Sequence, residues 1–202
     1  MKLITKFISE PILYDGTQLS SHWIYKNFDI LGHAIVAFMG PCDVSLSKMV
    51  DLEDVKKNSP IYSQLMLHFI GEFFDLDLEK TVYRQRLLMA AIKDGLEKLS
   101  RSPAPAFTGV NSGGVHSPHF IRYGDDLFDG DFKLTVSIAT SSSISTLIHA
   151  GINIDSQNTP VPTRGLQDYG FSPEICANEI LERFKSELES SWLARCKVKE
   201  VN

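Results

Sequence analysis

The stretch His119-Phe120-Ile121-Arg122-Tyr123-Gly124-Asp125-Asp126-Leu127-Phe128-Asp129-Gly130-Asp131-Phe132-Lys133-Leu134-Thr135-Val136-Ser137-Ile138-Ala139, continued through Ser141-Ser142-Ser143 to Ile144-Ser145-Thr146-Leu147-Ile148-His149-Ala150-Gly151-Ile152-Asn153-Ile154, decides the fold. In it Phe132, Leu134, Val136 and Ile138 alternate with Lys133, Thr135, Ser137 and Ala139. After the serines, Ile144, Thr146, Ile148, Ala150, Ile152 and Ile154 alternate with Ser145, Leu147, His149, Gly151 and Asn153. A period of two marks half-buried antiparallel strands. Asp129-Gly130 is a hairpin turn signal, with shorter strands at Phe120–Tyr123 and Leu127-Phe128 before it.

Residues opposite each other on paired strands share a face, so the register decides which side chains meet. A three-residue loop at 141–143 sets Lys133 against Gly151 and Thr135 against His149. That register gathers Lys133, Thr135, Ser137, His149, Gly151 and Asn153 on one polar face, with Gly151 leaving room beside the lysine. A polar face of an antiparallel sheet is either solvated surface or the floor of a site. Small hydrogen-bonding residues around a single cation favour a floor.

Outward from this segment, Leu3–Ile8 and Pro11–Tyr14 read as strands, and Ser20-Ser21 as the cap of a short helix through Phe28. Ala34–Met39 reads as a buried strand ended by Gly40-Pro41, and Leu46–Lys57 as a weak acidic helix. Ser59-Pro60 before the helically spaced Tyr62, Met66, Phe69 and Phe73 predicts a helix. Val82–Leu99 predicts a second, and Ser172-Pro173 opens a third with Ala177, Leu181, Phe184 and Leu188 on its apolar stripe. Residues 100–118, rich in Ser, Pro, Gly and Ala, read as a flexible loop within one domain spanning 1–202. The expected class is α+β: a mixed, largely antiparallel sheet with helices packed on one face.

The 202 residues carry 20 Lys+Arg against 25 Asp+Glu, a net charge of −5. That balance excludes an electrostatic nucleic-acid surface. No run approaches the roughly 20 apolar residues of a membrane span, and Met1–Lys6 lacks the apolar region of a secretory leader. Three well-separated cysteines, Cys42, Cys176 and Cys196, fit a reduced cytoplasm, and Cys42 reads as a buried thiol. No metal site is expected: His116 and His119 lack a third ligand, and Asp125, Asp126, Asp129 and Asp131 fail the calcium-loop pattern and read as a solvated hairpin tip. The sequence identifies no cofactor. An exposed edge at Ala34–Met39 or at the last hairpin strand would admit a homodimer.

Ile121-Arg122-Tyr123-Gly124-Asp125-Asp126-Leu127-Phe128, then Lys133-Leu134, then Gly151-Ile152-Asn153-Ile154, resembles the core of biotin protein ligases, and lipoate ligases and octanoyltransferases share the lysine and hairpin. As a whole chain, with Tyr14-Asp15-Gly16, Ser21-His22-Trp23 and Ile138-Ala139-Thr140, the sequence resembles an uncharacterised archaeal and bacterial family, domain-of-unknown-function family 366. The resemblance implies a biotin/lipoate ligase-like fold. It implies that Lys133 contacts a ligand carboxylate and the phosphate of an acyl-adenylate, as a fixed cation beside developing negative charge. It further implies that Asp126 orders the turn and the ligand-side polar network, and that Gly151 and Asn153 close the pocket wall.

The departures are as specific. Where those ligases keep arginine- and glycine-rich phosphate loops, this chain has Cys42–Lys57 with Asp51, Glu53 and Asp54, and acids there repel an adenylate. Asn111-Ser112-Gly113-Gly114 lies after the helix and lacks arginines, and Pro162-Thr163-Arg164-Gly165 offers no thiol where octanoyltransferases place a cysteine. Three functions follow in order of preference. The first is a domain binding a small carboxylate or heterocycle through Arg122, Asp126, Lys133, Thr135, Ser137, His149, Gly151 and Asn153. The second is an active ligase or acyltransferase with Lys133 as its catalytic residue. The third is a structural or interaction protein without a ligand.

Overall fold

A computed structural model describes residues 1–101, 118–159 and 161–201. At its centre lies strand β3 (Ile61–Phe73), in which every residue from Met66 to Phe73 is buried. Here the expected helix is wrong. A strand covered on both faces carries a near-continuous apolar run instead of an alternation, and within such a run helical spacing arises without a helix. Ser59-Pro60 simply precede the strand. Its three buried polar residues, Ser63, His68 and Glu72, are all partnered.

Around β3 stand β1 (Ile4–Ile8), β2 (Ala34–Val44), β7 (Thr135–Ser141) and β8 (Thr146–Asn153), in the order β1-β2-β3-β8-β7. Only β1 and β2 run parallel; the other neighbours are antiparallel. A small antiparallel sheet of β4 (Phe120–Tyr123), β5 (Asp126–Asp129) and β6 (Phe132–Lys133) stands beside β7. Helices α3 (Leu78–Arg101) and α4 (Pro173–Cys196) cover one face of the large sheet. The fold is therefore α+β, mixed and largely antiparallel, with its long helices on one face, as the sequence implies. Asp77 Oδ1 accepts from Lys80 N at the start of α3, and Ser172 caps α4 ahead of Pro173.

On the helical side Leu67, Phe69, Phe73, Ile148, Ala150 and Ile152 pack against Leu88, Ile92, Ile180 and Phe184. Each large side chain buried there contributes roughly 1.5–3 kcal/mol. The opposite face carries a second cluster, with Val36, Phe38, Met66 and Ile70 beneath Tyr14, Ile24 and Cys42. Cys42 is fully buried, and burial pushes its thiol up to about 12. Strand β2 does not end at Gly40-Pro41. It shifts register between Gly40 and Cys42 and continues to Val44. There the 12–14 segment lies along it: Ile12 N donates to Met39 O, Tyr14 N to Pro41 O, and Asp43 N to Tyr14 O. A Cβ on Gly40 would collide with the Ile12 carbonyl, so only glycine permits this approach. The strand expected at Pro11–Tyr14 reduces to one bridge between Tyr14 and Cys42.

The hairpin register also differs from expectation. Thr135 pairs with Ile152, Val136 with Gly151, and Ile138 with His149. The connection is longer than three residues because Ser142 and Ser145 close it on themselves: Ser142 Oγ accepts from Ser145 N and donates to Ser145 O. Ser145 is further held by Glu72, to which its hydroxyl donates at 2.7 Å. One face therefore carries Thr135 and Ser137, the other His149, Gly151 and Asn153. Over Gly151 lies the Met66 side chain rather than Lys133, which belongs to β6.

Three smaller expectations are also corrected. Asp129 is not at a solvated tip: it is 2% exposed and accepts from Tyr169 Oη, His119 N and Arg164. Helix α1 (Trp23–Phe28) is preceded not by a capping serine but by His22 in the left-handed region, whose N–H donates to Glu72 Oε1 at 2.8 Å. Neither strand expected to offer an edge does so, since β2 and β8 are interior and the edges are β1 and β7. Of the loop expected at 100–118, Ser100 and Arg101 instead belong to α3, and residues 102–117, with Asn111–Gly114 and His116, lie outside the described residues. No described helix is long and apolar enough to cross a membrane.

Candidate functional site

On the sheet face opposite α3 and α4, a cavity of about 450 Å³ opens between β3, β8 and β7 below and the 49–57 segment above. That roof includes α2 (Leu52–Lys57), capped by Asp51, whose Oδ1 accepts from Glu53 N at 2.7 Å and Asp54 N at 3.4 Å. None of the six α2 residues is buried. The side wall comes from the small sheet, with Asp125, Asp126 and Lys133.

Lys133 is anchored through its backbone. Its N–H donates to Pro162 O at 3.0 Å, and its carbonyl accepts from Arg164 N at 3.2 Å. Its Nζ lies 2.8 Å from Asp126 Oδ2. Burial pushes the Asp126 carboxyl up, Asp125 and Asp54 add to the rise, and Lys133 opposes it. Asp54, on the roof, is thus close enough to act on the wall.

The floor carries His149 and Asn153, both lining the cavity. His149 Nε2 lies 3.1 Å from His68 Nδ1, and His68 Nε2 lies 3.2 Å from Gly40 O. A carbonyl only accepts, so His68 carries its proton on Nε2 and its Nδ1 is the bare acceptor. His149 must then donate from Nε2, which leaves its Nδ1 as a bare acceptor. Burial keeps both rings neutral, holding His68 down at about 4 and His149 well below the usual imidazole range. Tyr14 stacks on His149 with centroids 3.8 Å apart. Asn153 Oδ1 accepts from Ser63 Oγ at 3.0 Å, leaving its Nδ2 donor without a partner among the described residues.

Of the residues singled out from sequence, Asp126, Lys133, Thr135, Ser137, His149 and Asn153 line this one cavity. They reach it from different surfaces and not as one strand face. Thr135 and Ser137 border it with engaged hydroxyls: Thr135 Oγ1 accepts from Leu127 N, while Ser137 Oγ accepts from Gln85 Nε2 and donates to Asp125 O. Gly151 lies under Met66, outside the lining. Arg122 is exposed away from the cavity, its guanidinium donating to Gly124 O at 2.7 Å. Sequence reasoning missed Tyr14, Met66 and His68. Read as a strand, Met66-x-His68-x-Ile70 would have put His68 on the face of His149.

The profile of a family described as "Domain of unknown function (DUF366)" matches residues 3–105 and 111–199. An uncharacterised protein of Methanocaldococcus jannaschii is 34% identical over 190 residues, covering 91% of this chain and 78% of its own. A solved protein of unknown function from Pyrococcus horikoshi is 30% identical over 100% of both chains, with a TM-score of 0.86. At the level of fold alone, two further solved structures are similar. A putative lipoate protein ligase from T. acidophilum with bound lipoic acid has a TM-score of 0.58 at 16% identity, over 94% of this chain and 87% of that one. A biotin protein ligase from Aquifex aeolicus in complex with biotin and ATP has a TM-score of 0.58 at 12% identity, over 92% and 71%.

Proposed function

The chain belongs to the domain of unknown function family DUF366, and from that premise we propose that it is a cytosolic small-molecule-binding domain, taking a carboxylate or a heterocycle and lacking the phosphate loop of the ligases whose fold it shares. One observation carries this reading: Asp126, Lys133, His149 and Asn153, from two sheets, line a single cavity of about 450 Å³. That size and that mixture of apolar wall with a few polar groups suit a small ligand. The absence of the loop rests on the acids of residues 51–54 in the roof, where a nucleotide phosphate would need cations.

Thermal unfolding in the presence of biotin, lipoate, octanoate and a panel of free heterocycles tests the reading. A saturable rise in Tm, reduced by Lys133→Ala or Asn153→Ala, is the expected result. No saturable ligand in the panel would reject it and leave a structural or interaction protein. A second reading, an active ligase or acyltransferase, is supported by the placement of Lys133 in the cavity wall. It requires ATP-dependent pyrophosphate release with biotin, lipoate or octanoate, lost in Lys133→Ala.

A further inference from the structure

The polar groups of the cavity define the kind of ligand more narrowly, if the binding reading holds. Three lysines line it, and each has a carboxylate partner: Lys48 pairs with Asp15, Lys57 with Glu53 at 3.4 Å, and Lys133 with Asp126 at 2.8 Å. Of the other lining acids, Asp125 is bound by Arg86 at 2.8 Å and Asp51 caps α2. The Asp54 carboxylate has no partner among the described residues. The field inside is therefore set by acids, and an anion entering it meets no free lysine among those residues.

The floor adds a direction. His149 is 3% exposed, lines the cavity, and its Nδ1 has no hydrogen-bond partner among the described residues. The Gly40 carbonyl, acting through His68, fixes this nitrogen as an acceptor. Unlike Arg86 Nη1 and Arg183 Nε, this nitrogen is not sealed from solvent, so a ligand N–H entering the cavity can take the place of water on it. Asn153, four residues along β8 and roughly 13 Å away by strand geometry, offers the complementary donor, Nδ2. Tyr14 and Met66 supply apolar surface close to the histidine.

We propose that the cavity selects a nitrogen heterocycle, neutral or cationic and free of phosphate, that donates an N–H to His149 Nδ1 and extends an acceptor group towards Asn153. The phosphorylated counterpart of such a ligand is repelled by Asp54, and the closed Lys133–Asp126 pair offers it no free cation. Specificity of this kind comes as much from repulsion as from attraction.

Isothermal titration of the full chain with adenosine, guanosine, cytidine and uridine, each beside its 5′-monophosphate, tests this, with lipoate and octanoate as carboxylate controls. At least one nucleoside should bind, and its monophosphate about tenfold or more weakly. His149→Phe, which keeps a ring and removes the acceptor, should weaken nucleoside binding about tenfold. Asp126→Asn releases Lys133 and should narrow the gap between nucleoside and monophosphate, and this arm decides the matter if His149→Phe does not fold. A monophosphate that binds as tightly as its nucleoside overturns the proposal, as does His149→Phe with unchanged affinity. Binding of lipoate or octanoate without any nucleoside overturns it while leaving the binding reading intact. No binding by any probe ends both.

Discussion

His68 and His149 form a buried pair whose proton positions are fixed from outside it: one backbone carbonyl, that of Gly40, holds the His68 Nε2 proton and so turns His149 Nδ1 into a bare acceptor. Strand register makes the pair. His68 lies opposite Gly151 and His149 opposite Ile70, so the two imidazoles are diagonal neighbours across β3 and β8.

Both imidazoles are depressed in the folded chain, whereas the unfolded chain protonates as pH falls through about 6.5. Protons therefore favour unfolding. The contribution of the pair is fully present above about pH 6.5 and is lost as pH falls towards about 4. His33, lowered chiefly by burial, acts in the same direction. Urea unfolding at pH 7.5, 6, 5 and 4.5 should show this decline. The double variant His68→Leu/His149→Phe should show a shallower one, retaining the His33 part. Parallel curves for the two proteins would exclude the pair as the source.

Glu72 is 2% exposed and accepts from both Ser145 Oγ and His22 N. It ties the β7–β8 connection to the start of α1. Glu72→Ala removes the shared acceptor and should lower stability by about 2–4 kcal/mol in urea titrations, and Ser145→Ala by about 1 kcal/mol. Equal effects of the two substitutions would mean that Glu72 does not act as the common acceptor.

Asp129 gathers Arg164, Tyr169 and the His119 backbone. Because Arg164 N also bonds Lys133 O, this ion pair, buried on the Asp129 side and partly exposed on the Arg164 side, supports the wall of the cavity. Asp129→Ala should cost about 3 kcal/mol. It should also weaken any cavity ligand, although Asp129 does not line the cavity. Affinity unchanged in a destabilised Asp129→Ala protein would separate the two effects.

Gly40→Ala should be among the most damaging single-methyl additions, since the new Cβ meets the Ile12 backbone. A loss of about 3 kcal/mol or more is expected. The comparison is Gly130→Ala, where no atom lies within 4 Å but φ is +60°; that change carries only a left-handed backbone penalty of roughly 1–2 kcal/mol. Chemical unfolding of the two variants side by side ranks them.

The sequence carried the fold class where local pattern and tertiary position agree. The amphipathic α3 and α4 were legible because one face of each meets the sheet and the other meets water. β3 was not, because a central strand has no solvent side to print an alternation, and a capping signal at Ser59-Pro60 pointed elsewhere. Missing β3 hid His68, and with it half of the histidine pair. The register failed for a different reason. Parity of the hydrophobic pattern assumes that loop length follows from the turn residues, whereas Ser145 is drawn out of the strand by Glu72, which lies 73 residues away in sequence. Lys133 and Asp126 reached the cavity regardless, since their placement depends on the Asp129-Gly130 hairpin and not on the β7–β8 register.

The roof of the cavity has a consequence for how such proteins diverge. Helix α2 buries none of its side chains, yet its Asp54 acts on the Asp126–Lys133 pair below. Surface substitutions of this kind change stability by less than about 0.5 kcal/mol. Charge in the roof can therefore be rewritten with almost no effect on folding. Two proteins with the same sheet, the same histidine pair and the same lysine can admit different molecules, and their kinship in fold says little about what each retains.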